Sequence, residues 1–367
     1  MFRYFVIKYP ILMEGTKIIR QFFPYFHEVS NGKSRPFSSL VNEFRTVLPK
    51  AKILSINASC NLKIKPLDPL SLDGDCIIAR AYGPPKTEII MKMLEGENNV
   101  IFSAQSTQLQ EVKNLYLEVE IPVVCDIDVI SKFGDVSVES FVSDKLSVEA
   151  ENGDINCRKL NCGTMNLKSS NGNIICEGII LGNIKIKAGK LGRIRGANFQ
   201  GNLLEVETDD GDIDVSSTYS LKSSFITKKG NVSLKNLHRS SFVSIQKGNL
   251  SIFGLDGSLD ARVQDGNIRV QITQLDADSY LETKNGKVSL SVAKSNVCQL
   301  NLSAREILIL KETLRSMGEI EHSSSGQVFR SLPHDNPSAA QMKVVSENGE
   351  VHLKEESWIS SLNLGDQ

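Results

Sequence analysis

The chain has 367 residues, 40% of them hydrophobic and 23% charged, the balance of a folded protein with a core rather than of a disordered polymer. Its net charge of −1 excludes a general nucleic-acid binder, which needs a clustered basic surface. The length suits two conventional domains or one solenoid with closed ends.

Residues 1–48 differ from everything after them. Ten of the 23 aromatic residues lie here, among them Phe2, Tyr4, Phe5, Phe22, Phe23, Tyr25 and Phe26. Residues 1–52 carry nine Lys or Arg against three Asp or Glu, so this end is +6 and the remainder −7. Tyr9-Pro10 interrupts the first apolar run long before the ~20 residues that cross a bilayer, so no transmembrane segment is expected. No clean apolar core with a small-residue cleavage site marks a secretory signal. Basic, aromatic-rich and acid-poor apart from Glu14, Glu28 and Glu43, the leader has the composition of a mitochondrial presequence; a peripheral N-terminus on a cytoplasmic protein is the alternative.

Residues 49–125 read as β-structure without a repeat. Short apolar runs such as Ile53–Ile56, Cys76–Ala79, Val100–Phe102 and Leu115–Val119 alternate with turns bearing Gly, Pro and Asp. A bare end coil of a solenoid exposes apolar surface and unpaired backbone, so this region is expected to be a cap.

From residue 126 a repeat takes over and persists to 355. Gly, a short polar residue and an apolar-any-apolar triplet recur at Gly134, Gly153, Gly172, Gly211, Gly230, Gly248, Gly266 and Gly286, with a degenerate copy at Gly192 and an outlying one at Gly349. Subtracting neighbouring positions from Gly134 to Gly286 gives steps of 19, 19, 20, 19, 19, 18, 18 and 20. Ile213 and Val215 flanking Asp214 show the period-two pattern of a strand with one buried face. Asn-Gly and Asp-Gly pairs mark the turn, where Gly admits positive φ. A second alternation lies half a unit away in most repeats, as at Leu146/Val148, Met165/Leu167 and Val243/Ile245. Near-constant steps favour a coil in which each strand pairs with its equivalent one turn later, because hairpin loops vary freely. The expected fold is all-β: a single-chain β-solenoid of roughly ten to twelve coils, with Cys157 over Cys176 and Asp135 over Asp154. A propeller is the alternative, but its blades need about 40 residues each.

Beyond Gly286 the register continues with damage, and two further steps of one period reach Gly326. Residues 303–318 fall within the repeats, with a short capping or flanking helix as the alternative; 330–340 is expected as an exposed loop insertion and 356–367 as a polar tail holding the only tryptophan, Trp358.

The run Leu115–Pro122 followed by Val129–Val138, with its Gly134-Asp-Val-Ser-Val, resembles the bacterial putative-adhesin family, a domain of unknown function. With its basic leader the chain looks most like a poorly characterised animal member. The resemblance spans roughly residues 50–355 and implies the β-solenoid fold. It supplies no catalytic residues to carry over.

The residues themselves supply none either. Asp135, Asp154, Asn173, Asp212, Asn231, Asn249 and Asn267 form a ladder that reads as turn stabilisation rather than calcium binding, since calcium β-rolls need a Gly-Gly-x-Gly-x-Asp unit at half this period. The seven cysteines lack Cys-x-x-Cys spacing and no His partners them, so no metal is expected; Cys157 and Cys176 read as small buried hydrophobes. The outward column is Ser137, Asn156, Ile175, Arg195, Asp214, Ser233, Ser251, Arg269, Ser289 and His352. Arg195 and Asp214 form its one acid–base neighbourhood, and no second carboxylate accompanies them for glycoside chemistry. His238 and His322 are expected in turns or loops, outside any triad. The resulting expectation is a non-enzymatic binding or scaffold protein without catalytic, cofactor or metal residues, meeting a protein partner along its extended face; a β-helix carbohydrate-active enzyme or glycan-binding module is the alternative.

Overall fold

A computed structural model of the chain describes residues 39–48, 53–68, 74–85, 87, 89–97, 99–106, 114–293, 298–310, 318–323, 326–331 and 339–356. Residues 1–38 of the leader, most of the 330–340 loop and the tail with Trp358 lie outside them. The described residues are all β, without an α-helix.

The N-terminal strands are β1 (Ser39–Val47), β2 (Ile53–Ala58), β3 (Asn61–Pro66), β4 (Cys76–Gly83), β5 (Ile89–Glu95), β6 (Asn99–Ser106) and β7 (Tyr116–Ile121). Next come β8 (Ile127–Ser131), β9 (Val136–Glu139), β10 (Val142–Ala150), β11 (Ile155–Ser169), β12 (Ile174–Lys190), β13 (Ile194–Asp210), β14 (Ile213–Val215) and β15 (Thr218–Lys229). The body closes with β16 (Val232–Lys247), β17 (Leu250–Asp265), β18 (Ile268–Leu275), β19 (Ser279–Asn285) and β20 (Val288–Ala293). At the C-terminal end lie β21 (Gln299–Ile309), β22 (Gly318–Ser323), β23 (Gly326–Ser331) and β24 (Gln341–Glu356).

Every pairing in the body is parallel, and the inward positions of successive coils stand in register, with shifts at bends such as Arg158–Leu160 and Thr218–Lys222. Ile155 faces Val136 on one side and Ile174 on the other, and Cys157 lies beside Cys176. Leu146 likewise sits between Ile127 and Met165. The chain is therefore a β-solenoid, with about nine turns at the regular spacing and further rungs in the end strands. Its interior is aliphatic columns. Val136, Ile155, Ile174, Ile194, Ile213, Val232, Leu250, Ile268, Val288 and Val351 stack with 0–1% exposure. The degenerate unit keeps the column filled by other means: Gly196 leaves the place of one side chain empty, and the ring of fully buried Phe199 occupies it.

Five of the coils bend at a left-handed residue at the same corner. Ser140 (φ 64°), Lys159 (52°), Gly178 (70°), Asn236 (47°) and Gly254 (81°) mark this corner. Only the glycines and Asn236 enter that region cheaply, so Ser140 and Lys159 are held there by the coil around them.

Both ends depart from chain order in the same way. β2 and β3 are wedged between β8/β9 of the body and β6/β7: Leu54 pairs with Ile127 and Val100, Leu62 with Val136 and Leu117. β24 is wedged between β19/β20 and β21: Val351 pairs with Val288 and with Ile307. Antiparallel strands then finish each end, with β4 on β7, β1 on β4 and β5 on β6 at one, and β23 on β21 and β22 on β23 at the other. Residues 39–47, within the stretch read as leader, are thus an edge strand of the folded body.

In the C-terminal region the helical alternative for 303–318 fails over its described part, and so does the Gly326 rung. Ser303–Ile309 is the end of β21, not a helix, because Leu302, Ala304, Ile307 and Ile309 each find an inward place beside β24. Gly326 opens β23 of an antiparallel hairpin and is not a rung of the glycine column. The column passes instead from Gly286 directly to Gly349.

Candidate functional site

The repeated turn builds one edge of the rod. At Gly153, Gly172, Gly211, Gly230, Gly248, Gly266, Gly286 and Gly349 an added Cβ would overlap the carbonyl oxygen of the equivalent glycine one coil back, and at Gly134 it would overlap the backbone of Cys60 and Asn61. Close backbone approach, more than positive φ, demands Gly here. The approached carbonyl also accepts a hydroxyl: Ser169 Oγ donates to Gly153 O (3.0 Å), Thr208 Oγ1 to Gly192 O (2.9 Å), Thr283 Oγ1 to Gly266 O (2.9 Å) and Ser346 Oγ to Gly286 O (2.8 Å). These hydroxyls are readable as Ser or Thr three positions before Gly, a signal the turn dipeptides overshadow.

The Asp/Asn ladder works between coils rather than within a turn. Asp154 N–H donates to Asp135 Oδ1 (2.9 Å), Asn173 N–H to Asp154 Oδ1 (2.7 Å), Asn231 N–H to Asp212 Oδ1 (2.9 Å) and Asn267 N–H to Asn249 Oδ1 (2.9 Å). Arg193 interrupts the series; its Nη2 lies 3.6 Å from Asp212 Oδ2. Among the described residues no group of three or more His, Cys, Asp and Glu is placed to hold a metal.

The outward column stands in the expected order. Ser137, Asn156, Ile175, Arg195, Asp214, Ser233, Ser251, Arg269 and Ser289 are successive register partners, and His352 follows Ser289 in space although several turns' length of chain separates them in sequence. Arg195 and Asp214 are adjacent, but the ion pair at this level of the rod is Arg193–Asp212. A neighbouring face carries cross-coil pairs: Lys185 with Glu205 (3.0 Å), Lys187 with Glu207 (2.9 Å) and Lys228 with Asp209 (2.6 Å). The hollow there, lined by Lys145, Thr164, Asn183, Lys185, Leu203 and Glu205, has a volume of about 240 Å³. That is smaller than an ordinary small-molecule pocket.

His238 and His322 lie in strands β16 and β22, not in turns or loops. The ring of His238 stacks on that of half-exposed Tyr219 (centroids 4.2 Å, planes 17° apart), and its Nδ1 is 3.0 Å from Asp256 Oδ2. Periodicity could have placed Tyr219, His238 and Asp256 in one column, because each follows the last by one step of the repeat. Cys157 and Cys176 are buried as expected; the neighbouring Cys176 and burial together push the Cys157 thiol up.

Such an arrangement defines an all-β solenoid whose coils meet through a glycine and Asx turn column. The Toastrack DUF4097 family model matches residues 86–236 and 182–306, together more than half of the 367 residues, and the chain belongs to that family. Three solved bacterial structures are similar to it. A putative adhesin from Bacteroides fragilis shares 12% identity at TM-score 0.31, over 85% of this chain and 96% of that one. A putative adhesin from Parabacteroides merdae shares 9% at 0.31, over 85% and 95%. A putative cell adhesion protein from Clostridium sporogenes shares 7% at 0.21, over 86% and 99%. No helix among the described residues is long and apolar enough to cross a membrane.

Proposed function

We propose that the chain is a non-enzymatic β-solenoid binding or scaffold protein that meets a protein partner along its extended outer face, inside the cell and in mitochondria. The observation that carries this reading is the outer column from Ser137 to His352. It offers ten positions of mostly small polar side chains in register, with Asp214 as its single carboxylate. Acid–base cleavage of a glycan uses two carboxylates, whereas weak contacts summed along a rod suit a binding face. The leader's composition supports the mitochondrial part. An odd number of cysteines, all free, suits a reducing compartment.

A photo-crosslinking side chain at Ser233 or Ser251 is expected to give discrete protein adducts in cells, and one at Lys228 on the neighbouring face to give none. Turnover of a glycan by the pure protein, abolished in Asp214→Asn, would replace this reading with the enzymatic one. A fluorescent fusion is expected to colocalise with a mitochondrial marker and to lose that location when residues 1–38 are removed. An unchanged distribution would leave the cytoplasm. Glycan binding without catalysis has one specific support, the Tyr219–His238 stack beside Asp256, since sugar sites combine an aromatic surface with a carboxylate. Loss of binding to a glycan array in Tyr219→Ala would establish it.

A further inference from the structure

β21 keeps the repeat's register with β20 although the two do not touch. Val288 and Ile307, and Leu290 and Ile309, are each separated in sequence by one period of the body, yet Val351 and Leu353 of β24 stand between them. If β24 were absent, the same register would set Leu302 over Leu281, Ala304 over Thr283, Ile307 over Val288 and Ile309 over Leu290. Every inward position would receive an inward residue, since all these side chains are buried now.

What β21 lacks is the turn. Two residues, Arg305 and Glu306, join its inward halves, whereas Lys284–Lys287 joins those of β19 and β20. β24 has the full four-residue turn, Glu347–Glu350, and its chemistry: Gly349 stacks on Gly286, Ser346 Oγ donates to Gly286 O (2.8 Å) and Asn348 Nδ2 donates to Asn285 Oδ1 (3.0 Å). At the equivalent place β21 has Ala304, which has no hydroxyl to donate.

We propose that β24 is a displaceable coil and that β20 has two alternative partners. With β24 seated, the rod ends in the order β20, β24, β21. When β24 withdraws, β21 closes one rung onto β20, and residues 341–356 are released as an extended segment whose Met342, Val344, Val351 and Leu353 were inward. The turn contacts favour the seated arrangement, and the retained one-period spacing makes the closed one available. This is a two-state element in the C-terminal end of the fold.

A disulfide trap in the full chain distinguishes the arrangements. Ser289, His352 and Leu308 are successive outward register partners. Rungs about 4.8 Å apart place Ser289 within disulfide reach of His352 now, and of Leu308 only after closure, because two rungs span about 10 Å. The double variant S289C/H352C is expected to cross-link when seated. S289C/L308C is expected to cross-link more slowly, with β-sheet circular dichroism preserved and residues 341–356 newly open to protease. Adding Ser346→Ala and Gly349→Ala should speed the 289–308 bond about tenfold by weakening the seated coil. If that background does not fold, S289C/L308C in the otherwise native chain decides alone. Complete closure of 289–352 with no 289–308 bond in any folded background overturns the proposal.

Discussion

Gly153 carries no side chain because the carbonyl oxygen of Gly134 lies where its Cβ would be, and the same contact repeats up the column to Gly349. Gly153→Ala must push two coils of backbone apart, a cost of about 1–3 kcal/mol on the scale of overpacked cores. Gly74, with open space around it, is the control: Gly74→Ala should change stability by under ~0.5 kcal/mol. Equal urea midpoints for the two would mean that the glycine column is not a close stack. The faces are tested by Ile213→Ala, expected to cost roughly 2–5 kcal/mol, against Asp214→Ala, expected under ~0.5 kcal/mol. In the ladder, Asp154→Ala leaves the Asn173 N–H without its acceptor and should cost about 1 kcal/mol, while Asp154→Asn keeps an oxygen there and should be nearly neutral. Similar losses for both would assign the stabilisation to the charge of Asp154 rather than to its oxygen.

At the scale of elements, the N-terminal end is held by ions as well as by pairing. Lys65 on β3 meets Glu118 and Glu120 on β7; Arg80 on β4 meets Glu120 and Glu43 on β1. Burial alone would raise the Glu120 carboxyl, but Lys65 and Arg80 outweigh it and hold the group below the usual glutamate range. A depressed folded pKa gives stability that is present above the unfolded value, about 4.3, and is lost as pH falls through the folded one. The wild type should therefore exceed Glu120→Gln in Tm at pH 7, with the gap shrinking below about pH 4. A gap independent of pH would contradict the ion-pair account. Thiol chemistry reports on the same region: burial pushes Cys60 up to about 12 and Cys125 up to about 11. Iodoacetamide at pH 8 should leave both unlabelled until the protein is unfolded, and labelling of Cys60 in the folded state would show that the cap opens.

The order of the coils was the part that the sequence concealed. Parallel rungs carry the same inward and outward pattern wherever they stack, so Gly349 announces a coil without saying that it lies between Gly286 and β21. Residues 303–309 admit a helical alternative because Ala, Arg, Glu and Leu favour helices, while the alternation of Leu302, Ala304, Ile307 and Ile309 is interrupted by the two-residue turn at Arg305 and Glu306. The left-handed corners at Ser140 and Lys159 left no mark, since neither residue type prefers that backbone region. By contrast the whole outward column through His352 was legible, because side-chain direction follows from period two and rung identity from the repeat itself. Of the site, the place of Asp214 between Arg195 and Ser233 follows from the repeat, and the Tyr219–His238–Asp256 column follows the same one-period steps along the corner strands.

For the whole molecule, everything rests on like positions stacking one above another along a rod. Spin labels at Ser137 and Ser233, and at Ser137 and Ser289, measure this directly in the full chain by pulsed electron resonance. Ser233 is five register steps from Ser137 and Ser289 is eight. At about 4.8 Å per rung the distances should peak near ~24 Å and ~38 Å, broadened by the label arms. A longer sequence separation that brings no longer distance, as blades around a propeller axis would give, contradicts the stacked rod.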